Sequence, residues 1–250
     1  EADEGHGSHG DAVGNLGGIL SAMMLLSGCG TGRGNATEKS SKLCVYTSFY
    51  AMYDFAKLIG GDRIDVYSMC PSSSEPHDYE PKTSDMAKLS EADVFIYSGM
   101  GMESWAEKTV SSLKNSSLKV VVASDNIPYT AENYDPHVWL NPENALHEME
   151  NIKNAFCEKD SENADYYNAN FKACKEKTEK LINDYKTAAA SFKDRNVVVA
   201  HAAYGYLCDA FNLNQTSIEN ASGEGEPSPA RMAEIIDFVK NNNIKYIFSQ

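Results

Sequence analysis

Three histidines stand in settings suited to metal binding. His77 lies in Glu75-Pro76-His77-Asp78-Tyr79-Glu80-Pro81, and His137 in Asp135-Pro136-His137-Val138-Trp139-Leu140-Asn141-Pro142. His201 directly follows the apolar run 197–200. Zinc accepts neutral imidazole nitrogen and carboxylate oxygen in a tetrahedral set, so three histidines plus one carboxylate or water would complete a site. Glu75 is a nearby carboxylate, either a substitute fourth ligand or a partner behind the ligands. His6 and His9 fall near the N-terminus, and His147 sits beside Glu148 and Glu150 on what reads as a solvated helix face. Neither HExxH nor another paired-His spacing is present, which argues against a zinc hydrolase. The six cysteines show no CxxC spacing, which excludes a zinc ribbon.

Ligands far apart in sequence need elements that bring them together, and the hydropathy pattern is that of an α/β protein. Residues 43–47, 63–69, 94–97 and 118–123 read as strands. Residues 50–59, stopped by Gly60-Gly61, 85–89, capped by Ser84, and 103–113 read as helices. These make an N-terminal lobe over 43–141. His77 and His137 then occupy loops at the carboxyl edge of a parallel sheet, where α/β folds place ligands.

Residues 143–195 contain neither Gly nor Pro, and Leu146, Met149, Ile152 and Phe156 form one helical stripe. A helix over 161–190 would be about 45 Å long. It suits a strut between two lobes, the alternative being a coiled-coil arm. Residues 142–195 therefore read as linking helices. In 196–250, strands are expected at 196–200 and 244–248. A helix over 230–240, opened by Pro227-Ser228-Pro229, would turn Met232, Ile235, Ile236 and Val239 inward. This C-terminal lobe is expected to be incomplete.

The 250 residues carry 36 acidic and 22 basic side chains, a net charge of −14, the wrong sign for a binder of nucleic-acid phosphates. The apolar run 16–26 is too short to span a bilayer but suits a signal peptide, and Leu26-Ser27-Gly28-Cys29 looks like a bacterial lipobox. The expectation is a leader over 1–28, then lipidated Cys29 and a flexible linker to residue 42. The acidic start Glu1-Ala2-Asp3-Glu4 departs from the basic start of such leaders, and the alternative is a Gly-rich tail with an incidental cysteine. Without the leader the net charge is about −10. The other five cysteines read as buried thiols.

Together the motifs around His77 and His137, the run Val198-Val199-Ala200-His201-Ala202-Ala203-Tyr204-Gly205-Tyr206-Leu207 and Gly225-Glu226-Pro227-Ser228-Pro229-Ala230 resemble, in order and spacing, the zinc/manganese solute-binding lipoproteins of ABC importers (cluster A-I). The resemblance covers about residues 43–250. It implies two pseudo-symmetric lobes, each a parallel sheet flanked by helices, joined by a long rigid helix that permits little hinge motion. His77, His137 and His201 become ligands, with Trp139 and Tyr204 lining the pocket. An acidic fourth ligand is expected from later in the second lobe, beyond Gln250. Manganese-binding relatives usually carry Glu where this chain has His201, so zinc is favoured, with manganese the alternative. The short, His-free segment 129–134 lacks the His-rich loop of many zinc-specific relatives. The implied protein is a monomeric, extracytoplasmic, lipid-anchored zinc-binding protein that delivers its ion to an ABC permease. An adhesin lipoprotein is the alternative, and a zinc-dependent hydrolase a lesser one.

Overall fold

The computed structural model describes residues 42–128, 135–221 and 227–249. The expected leader, Cys29 and nearly all of the expected linker lie outside the described residues, as do the 129–134 segment and the Gly225-Glu226 end of the last motif.

The first lobe runs β1 (Leu43–Thr47), α1 (Tyr50–Gly60), β2 (Ile64–Ser68), α2 (Thr83–Leu89), β3 (Val94–Tyr97), α3 (Ala106–Ser112) and β4 (Lys119–Val122). Its sheet is wholly parallel in the order β2-β1-β3-β4. Both faces are covered, which is why the strands read as apolar runs. Val45, Val94 and Ile96 pack with Met52 and Ile59 of α1, while Phe95 and Tyr97 pack with Leu89 and Trp105 on the other face. The N-cap of α2 is Lys82 rather than Ser84, because the Asp85 carboxylate turns back to accept the Lys82 backbone N–H at 3.0 Å.

Two helices follow, α4 (Pro142–Lys159) and α5 (Ala164–Ala190). Asn141 caps α4, its Oδ1 accepting the Glu143 N–H at 2.8 Å, with Pro142 in the first turn. Asn141→Ala should cost about 1 kcal/mol, read as a lower urea midpoint; an unchanged midpoint would show that the cap contributes nothing. The strut begins later than expected because Ser161–Asn163 form a 3-10 turn. There the Asp160 carboxylate accepts from Asn163 Nδ2 and Tyr167 Oη at 2.8 and 2.7 Å. The 27 residues of α5 span about 40 Å. Its start holds the first lobe through buried Tyr167 and an Asn170 amide donated to the Ile59 carbonyl. Its end meets the second, where the Tyr185 ring lies 5.4 Å from that of Phe211.

The second lobe contains β5 (Asn196–Val199), α6 (Gly205–Ala210), β6 (Asn214–Ser217), α7 (Pro229–Asn241) and β7 (Ile247–Phe248). Its parallel order β6-β5-β7 repeats the β2-β1-β3 pattern of the first lobe. Two of these elements go beyond the sequence reading: β6 is a polar edge strand without an apolar run, and α6 is only six residues long. On α7, Ile235 is buried, but Met232 and Ile236 are exposed, contrary to expectation.

Glu148 also departs from the solvated-face reading, for it is fully buried. It shares the inward stripe of α4 with Ala145, Met149 and Ile152. Ser98 joins it to a second buried acid, Glu103: Ser98 Oγ donates to Glu148, while Ser98 N–H, Gly99 N–H and Ser48 Oγ donate to Glu103. The left-handed turn through Gly99 (φ 88°), Met100 (53°) and Gly101 (83°) aims those backbone donors at Glu103. The five cysteines are free thiols, with Cys70 and Cys208 buried and Cys44, Cys157 and Cys174 half-buried. Burial raises all five, Cys208 to about 11.

Candidate metal centre

The three motif histidines meet. His77 follows β2, His137 enters the 3-10 turn Val138–Leu140 before α4, and His201 comes two residues after β5, so two lobes contribute. One ligand atom from each lies within 4.8 Å of the others. His77 Nε2 and His137 Nε2 are 3.1 Å apart. Two nitrogens bound at 2.0–2.1 Å with a tetrahedral angle between them are about 3.3 Å apart, so this pair is already at the spacing zinc requires. The His201 ring centroid is 4.8 Å from that of His137 and 5.6 Å from that of His77. His137 and His201 are buried and His77 is half-buried.

Backbone and carboxylate partners set the ring orientations. Pro136 restricts Asp135 to extended conformations. The Asp135 side chain folds forward so that Oδ1 accepts both the His137 backbone N–H at 3.0 Å and Nδ1–H at 2.8 Å. Donation from Nδ1 leaves the lone pair of His137 on Nε2, the atom facing His77. His201 uses the other nitrogen: Nε2–H donates to the Ala221 carbonyl at 2.7 Å, leaving Nδ1 as the acceptor. The His77 pKa is held below the ordinary value by burial first and by His137 next, with Glu75 opposing, which keeps the ring neutral and able to bind a cation.

Glu75 is not brought into the trio. It is exposed, and its Oε1 accepts the His77 backbone N–H at 3.4 Å, a longer version of the Asp135 arrangement. The Trp139 ring sits 5.3 Å from the His137 ring and 4.9 Å from Phe49, wedging His137 from the first-lobe side. Tyr204 holds the N-cap of α6, its N–H donating to Gln215 Oε1 at 2.7 Å. His147 stays apart, its Nε2–H donating to the Asp125 carbonyl at 2.7 Å. Sequence reasoning passed over Asp135, although an acid two residues before a histidine with proline between is a recognisable signal for such a turn.

Residues 45–250 match the family described as zinc-uptake complex component A, periplasmic. The high-affinity zinc uptake system protein ZnuA of Bacillus subtilis (strain 168) is 34% identical over 249 residues, covering 92% of this chain and 78% of that protein. The crystal structure of the Zn(II)-bound ZnuA-like domain of Streptococcus pneumoniae AdcA superposes with a TM-score of 0.76 at 33% identity, covering 84% of this chain and 79% of that one. The laminin-binding protein Lmb of Streptococcus agalactiae, described as bifunctional with adhesin and metal-transporting activity, gives 0.78 at 35% identity, with 83% and 79% covered. On the strength of the match over 45–250 and of relatives this similar along most of their length, the chain belongs to the ZnuA family of zinc-uptake components.

Proposed function

We propose that this chain captures zinc outside the cytoplasm and delivers it to the permease of an ABC importer. The observation that carries the reading is the convergence of His77, His137 and His201 from two lobes. In this reading zinc replaces the contact between the Nε2 atoms of His77 and His137 with two nitrogen–metal bonds. His201 supplies the third nitrogen, and an oxygen donor the fourth ligand. Trp139 and Tyr204 line the pocket, Trp139 by backing His137. Three nitrogen donors favour zinc over manganese, which takes more oxygen.

The metal is cargo, so it must leave as well as bind. A site split between lobes opens when they separate, and α5, anchored on both, keeps that movement small. Cys29, as a lipid-anchored N-terminus, would hold the protein at the outer face of the membrane as a monomer. The family is one of solute-binding proteins, and the chain acts by binding rather than by catalysis. The adhesin and metal-transporting activities named for Lmb give the second reading: the same lipoprotein also attaches to a host surface.

Zinc titration in competition with a chromogenic chelator tests the reading. One zinc per chain is expected, held more tightly than manganese, with an unfolding temperature that rises with zinc concentration. A preference for manganese, or no zinc bound, overturns it.

A further inference from the structure

Asp135 has a second contact, across the lobes. While Oδ1 takes both His137 donors, Oδ2 lies against the start of α6, where a Cβ built on Gly205 would be 2.6 Å from Oδ2 and 3.8 Å from Cγ. The backbone does not call for glycine here, since Gly205 is not among the residues with positive φ. Helical conformation ordinarily favours alanine over glycine. Space calls for it instead. A carboxylate at the free end of a side chain could swing away, but this one is buried and tied by two hydrogen bonds to the residue it orients. The Gln215 amide, whose Oε1 accepts the Tyr204 N–H, lies 3.9 Å from the same Cβ position, an ordinary contact, so Oδ2 of Asp135 is the atom a side chain here would strike.

We propose that Gly205 is a positioning residue for divalent-cation capture, an inference that rests on the three-histidine zinc site proposed above. With no side chain at 205, the second lobe closes onto Asp135 without turning the carboxylate that aims His137 Nε2 at the ion. Any side chain at this position pushes Oδ2, rotates Oδ1 away from Nδ1 and misdirects the imidazole, or else holds the lobes apart so that His201 stops short. Asp135 belongs to the loop bearing His137, and Gly205 lies four residues after His201. One close approach thus sets the relative placement of ligands from both lobes.

The test is a double-mutant cycle on the full chain, read as zinc affinity by chelator competition together with the unfolding temperature of metal-free protein. Gly205→Ala is expected to weaken zinc binding about tenfold or more, the range for disturbed partners of metal ligands, without lowering the metal-free unfolding temperature. Asp135→Ala weakens binding by itself. Adding Gly205→Ala to it should cost nothing further, because the atom the new methyl would strike is gone. A metal-free temperature lowered by Gly205→Ala and not restored in the double variant, or an equal affinity loss in both backgrounds, overturns the proposal. So does unchanged affinity in Gly205→Ala when His137→Ala binds weakly, an outcome that leaves the zinc site standing. Unchanged affinity in His137→Ala overturns the site itself.

Discussion

Replacing His137 with alanine is expected to lower zinc affinity by two to three orders of magnitude. Zinc held by four protein ligands is bound by roughly 10–16 kcal/mol, or about 2.5–4 kcal/mol per ligand, and each 1.4 kcal/mol is tenfold. His137 should stand at the upper end of that range. It is buried, its Nδ1–H is fixed on Asp135, its ring is backed by Trp139, and it therefore loses little entropy on binding. His77 is half-buried on a loop, and among the described residues its ring has no side-chain hydrogen bond besides the one to His137. His77→Ala should accordingly cost less, nearer one to two orders. It is also the safer variant for folding, since no buried carboxylate loses a partner. Isothermal titration with a competing chelator measures both, and equal zinc affinity in wild type and both variants would falsify the site.

The second large effect concerns stability and pH. Burial above all, opposed by one hydrogen bond from Ser98 and helped by the neighbouring Glu103, pushes the Glu148 carboxyl up to about 8. Burial raises Glu103 as well, but Ser48 Oγ and the backbone N–H groups of Ser98 and Gly99 favour its anion. Glu148 Oε2 has no hydrogen-bond partner among the described residues, so Glu148 is the member of the pair suited to remain a neutral acid. A folded pKa above the unfolded value gives stability that is fully present below about pH 4.5. It is lost as the unfolded carboxyl ionises, the loss being complete above about pH 8. The total is on the order of 5 kcal/mol. Glu148→Gln removes this dependence, so its stability advantage over wild type should grow between pH 4.5 and 8 and then level off. Urea midpoints at a series of pH values read this directly, and parallel curves for the two proteins would show that Glu148 is ionised in the folded state.

The elements most readable from sequence were those with a local signal. The runs that became β1, β3 and β5 are apolar because both sheet faces are covered. The proline and glycine boundaries of α1, α4 and α7 fell within one or two residues of expectation. Strand β6 was not readable, since an edge strand of Asn, Gln, Thr and Ser carries neither alternation nor an apolar run. For α7, periodicity marked a common face correctly. Whether that face is covered depends on neighbours, and Met232 and Ile236 are exposed. Glu148 is the converse case: it lies three residues after Ala145 and four before Ile152, on the stripe, but its charge argued for the outside.

The sequence by itself determined the candidate ligands, because each histidine lies in a short motif whose proline, aromatic and strand-end neighbours are contiguous with it. It also carried the α/β alternation that puts such motifs at the carboxyl edges of parallel sheets. Tertiary structure alone decided that the Nε2 atoms of His77 and His137 stand 3.1 Å apart, that Glu75 stays outside the trio, that Asp135 turns one oxygen to His137 and the other to Gly205, and that Glu148 is buried beside Glu103. The physical reason is range. Strand pattern, caps and turns are set by residues within a few positions of one another. Distances between imidazoles and the burial of a carboxylate are set by how helices and lobes dock, through contacts between residues tens of positions apart.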